Sequence, residues 1–368
     1  GKIAVGAYGD DDGGDVSGSV YVYDLDGTNE VKITASDAQY NDQYGGFGGL
    51  AIGENKIAIG ASSVDDDANA YWTDAEGNPV HYWDNGAIYV YDLDGTNEVK
   101  ITTSDPSYND RFGSSVAIGG GKVVGGAPNE GAANNGLGTG SIYIFDLDGT
   151  NEIKITPSNV WQYASFGNAV AIGDNKIAVG ARSENEGDVS GYQSSGAAFI
   201  YDMDGSNGIK IMPSDRTGKD MFGTSVAIGN GKVAIGARGP TSAGDVPNSN
   251  SPNGSVYVYN LDGTGEVKIT ASDGAALDGF GNSVTISDGK ILVGASMQHS
   301  GGGGAIYMYD IDGTNEVKIT PSDLGTGDRF GFATAIAVGS VAGNVVGGDV
   351  DTTSRWAASH AGNSILNN

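Results

Sequence analysis

The sequence has no cysteine and only three histidines among its 368 residues. Disulfides and thiolate metal sites are therefore excluded. The histidines, His81, His299 and His360, have no Glu or second His at the spacing of a catalytic zinc site. No serine nucleophile motif is present, and no cluster of acids with a base is indicated. The sequence therefore predicts a protein that is not an enzyme.

Basic residues are also scarce. The chain has 19 Lys and Arg against 46 Asp and Glu, a net charge of −27 at pH 7. Because no basic face offsets this charge, nucleic acid and anionic lipid should be repelled. No segment approaches eighteen consecutive apolar residues, so no membrane-spanning helix is predicted. We expect neither a nucleic-acid partner nor membrane insertion.

Glycine is abundant, with 63 residues, and one glycine-bounded stretch recurs throughout the chain. In Gly18–Thr34, a β-branched and aromatic run at Ser19–Tyr23 is joined to a second run at Val31–Thr34 through an Asp-Gly turn. This pattern predicts a β-hairpin. The further copies are Ala87–Thr102, Ser141–Thr156, Ala197–Met212, Ser255–Thr270 and Ala305–Thr320.

Each repeat contains two more strand patterns. A Phe-Gly pair precedes a short apolar strand such as Ser115–Gly119, a tight turn follows, and then comes Lys-Ile-Ala-Val-Gly-Ala or a variant of it. The repeat thus predicts four strands, a to d, of which a, b and c are apolar on both faces and d is half polar. Such units are typical of the blades of a β-propeller. The Phe-Gly pairs begin at Phe47, Phe112, Phe166, Phe222, Phe280 and Phe330.

The number of blades depends on how the chain ends are counted. The sequence indicates seven b strands, the last from Asn344, and seven c strands, the last at Asn363–Leu366. We therefore expect residues 1–368 to form a single all-β, seven-bladed propeller of four-stranded antiparallel blades, incomplete at both termini. Six blades with frayed terminal strands are the alternative. The chain begins in mid-repeat without Met or a signal peptide, which is typical of a processed chain or a fragment of a longer one.

Phe-Gly followed by an apolar strand, a turn and Gly126-Ala127-Pro128 resembles the FG-GAP repeat of the integrin α-subunit head. The resemblance implies a propeller of a kind found in bacterial and phage surface proteins. It also implies calcium sites in long a–b loops of the form Asp-x-Asp-x-Asp-Gly-x-x-Asp. Here the a–b connections are short turns such as Gly53-Glu54-Asn55, which leave no room for that cage.

The acidic turns between strands c and d are a second candidate for calcium. Oxygen ligands at alternate positions and a glycine for the bend suit Ca²⁺. The other interpretation is a plain hairpin turn in which Asp caps its own backbone. The candidate ligands are Asp24, Asp26, Glu30, Asp92, Asp94, Glu98, Asp146, Asp148, Glu152, Asp310, Asp312 and Glu316.

The loops between strand d and the next strand a carry paired aspartates in five repeats, as at Asp37 and Asp42. These pairs either form a ring of carboxylates for cations or tie loop amides at a junction between blades. The other pairs are Asp105 with Asp110, Asp215 with Asp220, Asp273 with Asp278, and Asp323 with Asp328.

The b–c loops differ most between repeats. In a propeller they emerge on the same face as the d–a loops, and variable loops on a rigid scaffold are where recognition usually occurs. The longest, Ser62–Gly86, carries the candidate ligand-binding residues. They are Tyr71, Trp72, His81, Tyr82 and Trp83. Such side chains suit sugar stacking or a protein contact, or else they form a small cluster that holds the loop.

These observations predict an extracellular, cell-surface or virion-surface recognition and adhesion module. Its partner would be a glycan or a protein receptor bound on the face of the b–c and d–a loops. The alternative is a structural assembly subunit of a surface appendage, fibre or virion, in which open terminal strands pair with a neighbour in a homo- or hetero-oligomer.

Overall fold

The computed structural model describes residues 1–335 except 47–48, 65–71, 74–78, 81–83, 132–137, 186–193, 241, 243–248, 250, 297–302 and 326. Every helix or strand element within these residues is a β-strand. Within the same ranges, no helix is long and apolar enough to cross a membrane. The prediction of an all-β protein is therefore confirmed.

The strands form five four-stranded antiparallel sheets and one three-stranded sheet, which we call blades 1–6 in chain order. The strands of a blade follow one another in the order a, b, c, d, and blade 1 contains b, c and d. The a strands are β4 (Leu50–Gly53), β10 (Ser115–Gly119), β14 (Phe166–Gly173), β18 (Phe222–Gly229) and β22 (Phe280–Ser287). The b strands are β1 (Lys2–Ala7), β5 (Lys56–Ala61), β11 (Lys122–Ala127), β15 (Lys176–Ala181), β19 (Lys232–Ala237) and β23 (Lys290–Ala295).

The outer half of each blade is the hairpin that the sequence repeats. The c strands are β2 (Ser19–Asp24), β8 (Ala87–Asp92), β12 (Ser141–Asp146), β16 (Ala197–Asp202), β20 (Ser255–Asn260) and β24 (Ala305–Asp310). The d strands are β3 (Val31–Ile33), β9 (Val99–Ile101), β13 (Ile153–Ile155), β17 (Ile209–Ile211), β21 (Val267–Ile269) and β25 (Val317–Ile319). A separate ribbon of two short strands, β6 (Trp72–Thr73) and β7 (Pro79–Val80), lies within the long b–c loop of blade 2.

The blades are arranged as in a propeller, because strand a of one blade contacts strand a of the next from β4 to β22. The described residues contain six blades, which is the number in the alternative that the sequence left open. The strands predicted from Asn344 and at Asn363–Leu366 lie outside the described residues.

Neighbouring blades pack an aliphatic face against an aromatic face. In blade 2, Ile88 and Val90 point to one side of the sheet, and both are buried against Phe112 and Tyr143 of blade 3. Tyr89, on the opposite side of blade 2, is buried against blade 1. The same arrangement recurs at the five junctions between blades 1 and 6. This confirms that strands a to c are apolar on both faces because a sheet covers each face.

The first Phe-Gly unit is not where the sequence suggested. Tyr44 takes the buried position that Phe112 holds in blade 3, since Tyr44 bridges Gly18 as Phe112 bridges Gly86. Its ring lies edge-on to Tyr89 with 5.4 Å between the centroids. The assignment of the first pair to Phe47 was therefore wrong, because tyrosine fills the same aromatic slot. Residues 47–48 lie outside the described residues.

The two terminal blades each have a more open face. The Ile319 side chain of blade 6 is 41% exposed, whereas the equivalent Ile101 of blade 2 is 2% exposed. In blade 1, Tyr21 and Tyr23 are half-buried on the aromatic side of the sheet. Within the described residues, blade 6 thus shows an aliphatic face and blade 1 an aromatic face.

The b–c loop of each blade meets the next d–a loop at a glycine. Gly196 has φ of +85° and forms a parallel bridge with Phe222. A Cβ at this position would lie 2.0 Å from the Phe222 carbonyl oxygen. Glycine is therefore required both for the left-handed backbone and for the close approach of the two loops.

We expect Gly196→Ala to lower the free energy of unfolding by more than about 1 kcal/mol, because it adds a backbone clash to conformational strain. Gly231→Ala is the matched control. Gly231 also has positive φ, but a Cβ added there would have no atom within 4 Å. Urea denaturation of both variants should show the larger loss for Gly196→Ala, and equal losses would contradict the clash.

Candidate functional site

The b–c and d–a loops lie on one face of the blades, which we call the loop face. The Phe222 amide donates to the Ser195 carbonyl at 3.0 Å, and the Phe112 amide donates to the Asn85 carbonyl at 2.9 Å. Each bond joins the end of a b–c loop to the end of the d–a loop that leads into the next blade. The predicted division into a loop face and a face of short turns is confirmed.

The structure describes little of the predicted aromatic site. Trp72 lies in β6, where its backbone pairs with Val80 of β7. The long b–c loop Ser62–Gly86 therefore contains a short hairpin. The remaining predicted ligand-binding residues, which lie outside the described residues, are Tyr71, His81, Tyr82 and Trp83.

Exposed aromatic residues on the d–a loops were missed by the sequence analysis. Tyr40, Tyr108 and Trp161 are 67%, 54% and 42% exposed. They lie at three consecutive junctions, from blades 1 and 2 to blades 3 and 4. The repeated string Tyr-Asn-Asp at Tyr40 and Tyr108 was the available signal. These three residues place exposed aromatic rings on the d–a loops of the loop face.

The aspartates of the acidic turns close their own hairpins. Asp26 accepts hydrogen bonds at Oδ1 from the Thr28 amide at 3.0 Å and the Thr28 hydroxyl at 2.6 Å. Asp24 accepts from Asn29 Nδ2 at 2.6 Å and pairs with Lys2 Nζ at 2.7 Å. Hydrogen bonds from Thr28 lower the pKa of Asp26. The equivalent pairs are Asp92 with Asp94, Asp146 with Asp148, and Asp310 with Asp312.

The glutamates of these turns bind the preceding blade junction. Glu98 accepts the Tyr91 hydroxyl at 2.7 Å, and it also accepts the amide and hydroxyl of Ser36 at 3.1 and 2.5 Å. Ser36 lies 62 residues earlier, in the loop that leaves blade 1. Glu152 and Glu316 bind Ser104 and Ser272 in the same way. Glu30 accepts the Tyr23 hydroxyl at 2.7 Å.

The carboxylates present do not fit the calcium cage that the resemblance implies. In the part of the chain that the structure describes, no group of three or more Asp, Glu or His residues could hold a metal ion. The a–b turn of blade 2 has only Glu54 and Asn55 between its strands, both with positive φ. Calcium binding by the acidic turns stays a prediction, and their carboxylates accept hydrogen bonds from the protein.

Comparison with known proteins identifies the repeat. The FG-GAP repeat family matches residues 96–145, 150–201, 206–259 and 264–309, more than half of the chain. The chain belongs to the FG-GAP repeat family. A solved structure titled "Crystal structure of Nidogen/Laminin Complex" contains a similar chain, with 10% sequence identity and a TM-score of 0.48 over 87% of this chain and 94% of that one. No curated protein matches the chain in sequence.

The paired aspartates of this FG-GAP propeller tie the blades together. Asp105, in the loop that leaves blade 2, accepts the Tyr143 hydroxyl at 2.9 Å and pairs with Lys154 Nζ at 2.6 Å, both from blade 3. Lys154 Nζ also lies 5.3 Å from the centre of the Tyr143 ring. Asp105 therefore lies at a junction between blades, as one of the two interpretations predicted, but it binds side chains of the next blade there rather than loop amides. The same contacts recur at Asp37, Asp215 and Asp273.

The second aspartate of each pair caps its own loop, and it is buried in every pair except the last, where Asp328 is exposed. Asp110 accepts the Ser107 amide at Oδ2 at 2.7 Å. Burial raises the pKa of Asp110 to about 7, and the charge of Glu130 adds to this effect. Burial also acts to raise the pKa of Asp105, but hydrogen bonds from Lys154 and Tyr143 lower it overall. The pKa values of the two aspartates of this loop are therefore shifted in opposite directions, that of Asp110 upwards and that of Asp105 downwards.

We expect Asp110→Asn and Asp105→Asn to change stability with opposite pH dependence. Because the pKa of Asp110 is raised in the folded state, ionisation of Asp110 lowers the free energy of unfolding as pH rises from about 4 through 7. Asp110→Asn avoids this loss, so its stability relative to the wild type should rise across that window. The lowered pKa of Asp105 stabilises the fold above about pH 4, so the cost of Asp105→Asn should shrink as pH falls below that value.

Chemical denaturation of both variants and the wild type at several pH values checks this. Each variant is compared with the wild type at the same pH, so titrations shared by all three proteins cancel. Parallel pH profiles for Asp110→Asn and wild type between pH 4 and 7 would contradict the raised pKa of Asp110.

Proposed function

We propose that this FG-GAP propeller is a non-enzymatic recognition and adhesion module that binds a glycan or a protein receptor through its loop face. The observation that supports this most is the set of exposed aromatic side chains Tyr40, Tyr108 and Trp161 on consecutive d–a loops. Large aromatic side chains exposed at a protein surface are frequent anchors in binding interfaces.

The contrast between the nearly constant turn face and the variable loop face favours the same function. The turns between strands c and d are nearly identical from blade to blade, and their side chains bond to one another. The b–c loops vary in length and sequence, while the d–a loops beside them are fixed to the blades by Asp105 and its equivalents. A fixed scaffold with variable loops allows a binding surface to be formed with little loss of entropy on binding.

The chemistry of the loop face suits a polar ligand with flat apolar surfaces, such as a sugar ring. Aromatic rings stack on such surfaces and their polar edges hydrogen bond with hydroxyl groups. A protein receptor with an aromatic or arginine-rich patch would use the same side chains. We place the protein outside the cell, on a cell surface or on a virion, where such ligands occur.

A role as an assembly subunit is the second candidate, and the terminal blades favour it. Blade 6 exposes Val317 and Ile319, and blade 1 half-exposes Tyr21 and Tyr23. An aliphatic face and an aromatic face of this kind bury each other at every junction from blade 1 to blade 6. A second copy or another subunit could use that packing, and a molar mass that rises with protein concentration would support this candidate.

The binding function is tested by replacing Tyr40, Tyr108 and Trp161 together with alanine. We expect at least a tenfold weaker binding to a printed panel of glycans and to receptor-bearing cells, because the aromatic contact area is lost. The melting temperature should change little, since these side chains are exposed. Leu25→Ala is the control, because Leu25 is also exposed but lies on the turn face. Equal binding by the triple variant and the control would overturn the proposal.

A further inference from the structure

The d–a loop between blades 3 and 4 has neither of the paired aspartates. Asn159 and Ala164 occupy the positions that Asp105 and Asp110 hold in the loop before it. In the loops that leave blades 1, 2, 4 and 5, the first aspartate binds a lysine of the next blade, and the second accepts the amide three residues before it. Both of these contacts therefore need another acceptor in the loop between blades 3 and 4.

One glutamate from the b–c loop of blade 4 makes both contacts. Glu184 Oε1 lies 3.1 Å from Lys210 Nζ, and Glu184 Oε2 accepts the Trp161 amide at 2.7 Å. Trp161 lies three residues before Ala164, so its amide is the one that the second aspartate accepts in the other loops. The ion pair is shielded from water, because the side chains of Glu184 and Lys210 are only 1% and 10% exposed.

Further hydrogen bonds fix the backbone around Trp161. Lys210 Nζ donates to the Asn159 carbonyl at 2.8 Å, and the Ala164 amide donates to the Trp161 carbonyl at 3.1 Å. The Ser183 amide, at the start of the b–c loop of blade 4, donates to the Ala164 carbonyl at 3.1 Å. Because the backbone of Trp161 is bonded through both its amide and its carbonyl, little entropy is left to lose when a ligand contacts its ring.

The ring of Trp161 is presented to water from this fixed backbone. The residue is 42% exposed, and the half-buried Tyr163 ring meets it edge-on with 6.2 Å between the centroids. Gln162, between the two aromatic residues in sequence, is also exposed. An indole ring beside an exposed amide combines a flat apolar surface with hydrogen-bond donors and acceptors. The C–H face and the hydroxyl groups of a pyranose ring complement that combination.

We propose that Trp161 is a stacking platform for a pyranose ring of the bound ligand, and that Glu184 is the positioning residue that fixes this platform. The inference deepens the proposed function, on which it rests for ligand binding at the loop face, and of the two ligand classes it takes the glycan. A neutral sugar is not repelled by the net charge of −27. Loss of the Glu184 carboxylate would free the Trp161 amide and remove the charge that Lys210 pairs with.

The first test measures binding of the whole chain to a printed panel of pyranose-containing glycans. We expect Trp161→Ala to weaken binding about tenfold or more, because it removes the stacking surface. Glu184→Ala should weaken binding in the same direction while the ring itself is kept. Glu130→Ala is the matched control, since Glu130 holds the same position in the b–c loop of blade 3 and pairs with Lys154, but Asp110 accepts the loop amide there. Its binding should equal that of the wild type.

A rescue variant separates positioning from general damage to the fold. Adding Asn159→Asp and Ala164→Asp to Glu184→Ala supplies the two aspartates of the other loops, so Lys210 and the Trp161 amide regain acceptors. We expect hydrogen exchange of the Trp161 amide to be slow in the wild type, fast in Glu184→Ala and slow again in the rescue variant, with glycan binding recovering in parallel. Melting curves verify folding, and Glu184→Gln, which keeps the shape, replaces Glu184→Ala if that variant is unfolded.

The outcomes distinguish this inference from the proposed function. Unchanged glycan binding by Trp161→Ala would overturn the platform, even if the variant lacking all three exposed aromatic residues loses binding as the proposed function expects. Equal exchange of the Trp161 amide in the wild type and in the Glu184 variant would overturn the positioning role. Binding to cells but to no glycan would assign the loop face to a protein receptor and overturn the inference alone. Absence of binding to both would overturn the proposed function as well.

Discussion

The packing of one blade's aromatic face on the aliphatic face of the blade before it is the interaction on which this fold depends. Phe222 is fully buried at such a junction, with its ring edge-on to Tyr257 at 5.4 Å. Burying a side chain of this size contributes about 1.5–3 kcal/mol, and the edge-to-face contact adds to it. A single four-stranded blade has two apolar faces and could not be stable by itself, so the repeat specifies an array.

Polar contacts fix how the blades are placed on that apolar layer. Asp105 of one junction binds Tyr143 and Lys154 of the next blade, and Glu98 binds Ser36 of the previous junction. Many of the acidic residues that give the chain its net charge of −27 therefore bind other residues of the same chain. They form charge-assisted hydrogen bonds that are individually modest at a wet surface, but the same set recurs at successive junctions. The b–c loops can vary because these contacts are made by the d–a loops, the strands and the c–d turns.

The repeat made the fold predictable, because each strand and turn has a local signature. Ser115–Gly119 was predicted as a strand from its apolar pattern, and it is one. Contacts between residues that are distant in sequence but close in space were not predicted. The hydrogen bond between Glu98 and Ser36 joins residues far apart in sequence. The equivalence of Tyr44 with Phe112 is visible only in the structure, where each residue bridges the glycine that precedes strand c of its junction. The exposure of Tyr40 likewise follows from the arrangement of blades.

Hydrogen bonds and ion pairs within the protein hold the acidic turns and the junctions between blades. A thermal melt in calcium, compared with a melt in excess chelator, tests whether these contacts are sufficient without a bound metal ion. We expect the two melting temperatures to agree, because the carboxylates of Asp24, Asp26 and Glu98 already accept protein donors. A melting temperature several degrees lower in chelator would show that bound metal stabilises the fold and would make the acidic turns metal sites.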